Sequence, residues 1–185
     1  MTRAVTGADP GQLGEPIAAA LRNPIGTHIT LGKGLAASAL GAVEAGFETL
    51  QIFAGNPRGW AHSAGDPEQD ARFRAVCAER GVRVFIHAPY LVNLGSPTVE
   101  TYERSIASVA HNLKRAAQIG AEGVVVHTGS FVAHQGDPEV AHAEALARVR
   151  SGLLPLLELL EAPDAPWLLL EPTAGQGRSL CAGVD

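Results

Sequence analysis

From Ile25 onward the chain repeats one unit: a short β-rich run, a loop, a helical stretch and a glycine. The β-rich runs are Ile25 to Thr30, Thr49 to Phe53, Val82 to His87, Gly123 to His127 and Trp167 to Glu171. Runs such as VFIH, VVVH and WLLLE are apolar at successive positions, whereas a strand with one wet face alternates. Burial on both faces is therefore expected, and with it a parallel sheet wrapped by helices. Leu35 to Ala45, Pro67 to Arg80, Thr98 to Ile119 and Pro138 to Glu161 supply the helices, with apolar residues three and four apart. Gly46, Gly81 and Gly120 stand where helices end in the left-handed conformation. Asp66 and Asp137 each precede a proline and should cap the helix that follows. Pro155 is expected to kink or interrupt the last helix. The fold class is α/β, and doubly wound sheets and (β/α)8 barrels both fit the pattern.

Composition narrows the setting. Of 185 residues, 46% are hydrophobic and 18% charged, enough for a sizeable core and inconsistent with a disordered chain. The net charge of −5 argues against a basic nucleic-acid-binding tail. No apolar run approaches the roughly 20 residues of a membrane-spanning helix. Two cysteines, Cys77 and Cys181, make no disulfide framework, so a reducing, cytoplasmic setting is expected. Residues 1–24 carry no secretory signal and are punctuated by Gly7, Pro10, Gly11, Gly14 and Pro16. They are expected to form a flexible extension ahead of one domain, residues 25–185.

The chemistry lies in what ends each strand. Three of the five runs finish with or contain His28, His87 and His127, and a fourth finishes on Glu171. Parallel strands of an α/β fold open their carboxyl ends on one face, so these side chains converge there. Two imidazoles and a carboxylate form a His2Glu set, a zinc-type site that leaves coordination positions open for water or substrate. A single histidine at a strand end is most simply a hydrogen-bonded side chain at the rim of a core; recurrence at equivalent positions favours the metal.

Other candidates carry less. Gly32-Lys33-Gly34 lacks phosphate-loop spacing, and Gly175-Gln176-Gly177 lacks the third glycine of a dinucleotide fingerprint. Ser130 has no acidic partner or nucleophile-elbow pattern. Cys77 reads as a small core hydrophobe. His62, His111, His134 and His142 fall away from the strand ends and are expected to be solvated.

The motifs His87-Ala-Pro-Tyr90-Leu91-Val-Asn93-Leu94-Gly95, Val-Val-Val-His127-Thr-Gly-Ser130 and Leu-Leu-Glu171-Pro-Thr-Ala-Gly175-Gln176-Gly177 occur in that order. With Gly26-Thr-His28-Ile and Ile52-Phe53-Ala-Gly-Asn56-Pro-Arg58-Gly-Trp60, the chain resembles the endonuclease IV family of apurinic/apyrimidinic endonucleases over about Ile25 to Leu180. The resemblance implies a (β/α)8 barrel of the TIM type that holds three zinc ions and hydrolyses the DNA phosphodiester 5′ to an abasic site. It implies that His87, His127 and Glu171 are zinc ligands, Glu171 being the carboxylate that bridges two ions and takes part in catalysis. Asn56, Arg58, Tyr90, Leu91 and Gln176 would face DNA, with His28 as a supporting residue behind the ligands. An arginine can fork onto phosphate, and Tyr90 with Leu91 can fill the gap where a base is missing.

The chain also departs from that family. Phe131 stands where the family usually places a second histidine, Gly59 replaces a longer polar residue, and Pro172 stands where Asn often follows the bridging glutamate. A (β/α)8 barrel takes about 250 residues, and the sequence ends after its fifth strand signal. The expected architecture is therefore an incomplete barrel of five parallel strands, an N-terminal portion of the family fold. Such a chain is expected to hold at most one tightly bound zinc, to self-associate through open sheet edges and to be weakly active or inactive alone. Two other readings of the same residues are a sugar isomerase or epimerase of the xylose-isomerase-like barrels and a non-catalytic zinc-binding remnant.

Overall fold

The computed structural model describes residues 23–175 and 177–182; residues 1–22, where most of the expected extension falls, lie outside them. Five strands, β1 (Gly26–His28), β2 (Thr49–Ile52), β3 (Arg83–His87), β4 (Gly123–Val126) and β5 (Trp167–Leu170), form one sheet in chain order. Every neighbouring pair is parallel. Between them run helices α1 (Leu35–Glu44), α2 (Pro67–Arg80), α3 (Val99–Ile119) and α4 (Pro138–Leu157). Sequential parallel strands in chain order, joined by helices, give the incomplete TIM-type barrel that the family resemblance implies, and not a doubly wound sheet, which the strand pattern alone left open.

Local chemistry places the helix ends. The Asp66 carboxylate accepts the amides of Glu68 and Gln69, and Asp137 accepts those of Glu139 and Val140, each ahead of a proline in the first turn. Gly81 (φ 65°) and Gly120 (φ 71°) close α2 and α3 in the left-handed conformation. Helix α1 instead ends on Ala45 in a right-handed conformation, with Gly46 turning one residue later. Pro155 does not interrupt α4. The helix runs on to Leu157 before tightening into a 3-10 turn over Glu158–Leu160. So close to the helix end, the missing proline N–H removes support from only the last turn.

The core packs helices against one face of the sheet. Leu50, Ile52, Val84, Ile86, Val124 and Val126 are buried there with Phe73, Val109 and Leu113. Alternate residues Gln51, Phe85, Val125 and Leu169 line a hollow of about 430 Å³ on the other face and are only partly covered. This corrects the expectation of burial on both faces: within the described residues no opposite strands cover that side. At β5 both faces are open among the described residues: Trp167, opposite Gly123 on the hollow side, is 58% exposed, and Leu170, in register with Val126 on the helix side, is 48% exposed. Cys77 is buried as expected, and burial pushes its thiol up to about 11.

One buried ion pair fastens α2 to α3. The Arg115 guanidinium forks onto Asp70, with Nη1 to Oδ2 at 2.7 Å and Nη2 to Oδ1 at 2.9 Å, both side chains almost wholly buried. Arg115 also donates to the Ala64 carbonyl, anchoring the loop between β2 and α2.

Candidate metal centre

His87 ends β3, His127 follows the last residue of β4 and Glu171 follows the last residue of β5. Each sits at a carboxyl end in a parallel sheet, so the three meet at one rim. Their ligand atoms lie within 4.8 Å of one another, the one such group among the described residues. The Nε2 atoms of His87 and His127 stand 3.3 Å and 3.6 Å from the same Glu171 Oε2. Those separations match the edges of a tetrahedron with zinc bonds of about 2.0–2.2 Å, roughly 3.3–3.6 Å.

The donor set has a chemical deficit. His87 Nδ1 contacts the Ala88 carbonyl at 2.6 Å, and a carbonyl can only accept, so Nδ1 carries a proton. In the neutral ring Nε2 then presents a lone pair toward a carboxylate oxygen. Two acceptors face each other, and a cation between them makes the contact favourable. A proton could serve one pair. A metal ion serves both imidazoles and the carboxylate together, and the residues present fit one. Exposure grows across the site, the side chains being 7% exposed at His87, 33% at His127 and 45% at Glu171. His127 Nδ1 is buried without a hydrogen-bond partner among the described residues.

Aromatic rings support one flank. Phe53, at the end of β2, packs edge-on to His87 at 5.4 Å and to Tyr90 at 5.2 Å. His28 lies 6.2 Å from the His87 ring and 4.5 Å from Phe53, outside the three-donor cluster, and its Nδ1 pairs with Gln51 Oε1 at 3.0 Å. Burial, opposed by the Gln51 contact and aided by nearby His87, holds His28 below the ordinary imidazole range.

The other residues singled out in the sequence occupy the surrounding loops. Asn56 caps its own turn by accepting the Arg58 amide at 2.9 Å, leaving the Arg58 side chain exposed. The Tyr90 amide donates to the Pro57 carbonyl at 3.0 Å, which sets the loops after β2 and β3 side by side. Tyr90 is 59% exposed and Leu91 half-buried. Gln176 lies outside the described residues.

Of the histidines expected to be solvated, His134 is not: it is 5% exposed, and its Nε2 meets the Gly95 carbonyl at 2.8 Å. A single imidazole in a loop gives no sequence sign of a carbonyl 39 residues away. His62 and His111 stack at 4.4 Å with ring planes 4° apart, and His142 packs edge-on to Phe131. Sequence reasoning also missed the Asp70–Arg115 fork, whose members carry no periodic or motif signal.

Comparison with known proteins identifies the lineage. Residues 41–183 match the xylose isomerase-like TIM barrel family. The chain is 51% identical over 162 residues to the probable endonuclease 4 of Streptomyces avermitilis, covering 87% of this chain and 51% of that protein. It is 41% identical to the endonuclease 4 of Thermus thermophilus, covering 86% and 55%. A crystal structure of endonuclease IV from Thermus thermophilus superposes with a TM-score of 0.71 at 39% identity, over 86% of this chain and 55% of that one. A D-tagatose 3-epimerase-like protein shares the fold at 20% identity and a TM-score of 0.65. The chain spans about half the length of the curated relatives it matches. It belongs to the xylose isomerase-like TIM barrel family, and within that family it resembles endonuclease IV.

Proposed function

We propose that this chain carries part of the active centre of a zinc-dependent endonuclease that hydrolyses the phosphodiester 5′ to abasic sites in DNA. The observation that carries the reading is the meeting of His87, His127 and Glu171 at one rim, where the His87 Nε2 lone pair and the Glu171 carboxylate face each other across a position that a cation fills favourably. These three residues hold the ion. Glu171, the most exposed, is the carboxylate with room to reach a second one. Bound there, zinc supplies positive charge for phosphate oxygens and lowers the pKa of water toward neutrality.

The chain's own residues do the rest. Arg58, exposed on the loop after β2, presents a guanidinium fork to a backbone phosphate, its own amide being fixed by the Asn56 turn. Tyr90 and Leu91 enter the gap left by the missing base, with Tyr90 braced by Phe53. Gln176 is assigned to the same DNA-facing rim on the resemblance alone, as is the supporting role of His28. The net charge of −5 does not oppose this, because the local field of a bound dication and Arg58 governs the groove.

Equilibrium dialysis with zinc, followed by binding and incision of a duplex carrying one abasic site, tests the proposal. One tightly bound zinc per chain is expected, lost in His87→Ala and kept in His142→Ala. The abasic duplex should bind more tightly than an intact one, with a salt-dependent affinity. Incision by the 185-residue chain should be weak or absent, since each missing transition-state contact typically costs ~10²–10³ in rate. Zinc loss equal in both variants, or turnover of a ketose with no abasic preference, would sink the reading.

A further inference from the structure

We propose that Asn93 is a positioning residue for the metal centre, joining the loop that follows His87 to the loop that follows His127. The inference rests on the metal reading above. The two ligands are oriented differently. His87 is fixed locally, through its own Nδ1–H and the carbonyl of the next residue. His127 has no such anchor among the described residues, where its buried Nδ1 finds no hydrogen-bond partner. Its ring therefore points where the backbone of residues 127–130 sends it.

That backbone is held from across the rim. The last contacts of the β3–β4 ladder run through His87 and Val125, with the Ala88 amide donating to the Val125 carbonyl. Beyond it the chains diverge into loops, and Asn93 spans them. Its Oδ1 accepts the Gly95 amide at 3.1 Å within its own loop and the Ser130 amide at 3.1 Å in the other. Its own backbone amide donates to Ser105 Oγ on α3 at 2.9 Å. Alongside, the Leu94 amide donates to the Thr128 carbonyl at 3.0 Å. One side-chain oxygen thus ties an amide three residues beyond His127 to the loop carrying Tyr90 and Leu91.

Gly129 lets the junction close. It has φ 105°, and a Cβ placed on it would lie 2.1 Å from Asn93 Oδ1. A side chain there would be strained in backbone and would push the amide away. The pairing of a short amide with a glycine at the facing position is what the two loops need to approach this closely.

Cobalt(II), which replaces zinc in nitrogen and oxygen sites and reports its geometry in the visible spectrum, provides the test on the 185-residue chain. Asn93→Ala should weaken cobalt binding by about 10–100-fold, the usual range for residues that orient metal ligands, and should alter the spectrum while far-UV dichroism stays that of the parent. Asn93→Asp keeps an acceptor oxygen in place and should restore both. Leu113→Ala, a core truncation far from the rim, serves as the control for mere destabilisation and should leave cobalt affinity unchanged at low temperature. If Asn93→Ala does not fold, Gly129→Ala attacks the same junction from the facing loop and should give the same loss. Parent-like affinity and spectrum in the folded variant would overturn the role of Asn93 while leaving the metal reading standing. Failure of the parent chain itself to bind cobalt would overturn the metal reading, and this inference with it.

Discussion

Strands β4 and β5 are nearly indistinguishable as sequence, GVVV against WLLL, yet they live in different environments. Val124 and Val126 are wholly buried, whereas Trp167 and Leu170 are about half exposed. An apolar run specifies that a strand is built to be covered; its place in the sheet decides whether the covering is present. The same gradient runs through the metal centre, from buried His87 on β3 to exposed Glu171 after β5. The closed half of the molecule holds one ligand rigidly, and the open half leaves the carboxylate accessible.

The largest effect expected is in the closed half. Asp70→Ala strips the buried Arg115 guanidinium of its partner, and breaking such a pair from one side typically costs about 3–5 kcal/mol. A drop of that size in chemical denaturation is expected, along with loosening of the loop that Arg115 ties down at Ala64. A change under about 1 kcal/mol would mean that water reaches the pair. Next comes a direct contrast across the sheet. Ile86→Ala, at a site with no exposure, should cost about 2–5 kcal/mol. Leu170→Ala, with 48% of its surface already in water, should cost far less. Equal losses would show that the edge is covered in solution, and would break the comparison.

Self-association is the obvious cover. Among the described residues the edges at β1 and β5 are open, and with the exposed Trp167 and Leu170 they make concentration-dependent association in sedimentation velocity the expected behaviour. Leu170→Lys should reduce it. A monodisperse monomer at high concentration would show that the exposed edge is tolerated.

What was legible in the sequence follows from range. Helix caps are local, so Asp66, Asp137, Gly81 and Gly120 could be placed from neighbours alone. The convergence of His87, His127 and Glu171 could also be read, because parallel topology turns a repeated position along the chain into a shared position in space. The Asn93 junction, the burial of His134 and the Asp70–Arg115 fork were not legible. Each depends on a partner 37 to 45 residues away, and none repeats. The exposure of β5 was missed for another reason: hydrophobicity records what a strand could bury, not what lies opposite it.

The smallest expected effect concerns the stacked histidines on the closed side. His111, on α3, is held below the ordinary imidazole range first by burial and then by His62 stacked on it, with Arg115 and Lys114 adding repulsion and a backbone contact at Ser63 opposing them. The unfolded chain therefore takes up a proton near pH 6.5 that the folded chain resists. Since stability falls wherever the unfolded state binds more protons, it should be full above about pH 6.5 and decline as pH drops toward the lowered folded value, then level off. His111→Asn removes the titrating ring, so its midpoint in urea should change less between about pH 7 and pH 5 than that of the parent. His28, also held low, contributes in the same window and stays in both proteins, so the difference between them isolates the stacked pair. Parallel pH profiles would mean that His111 is neither buried nor stacked on His62 in solution.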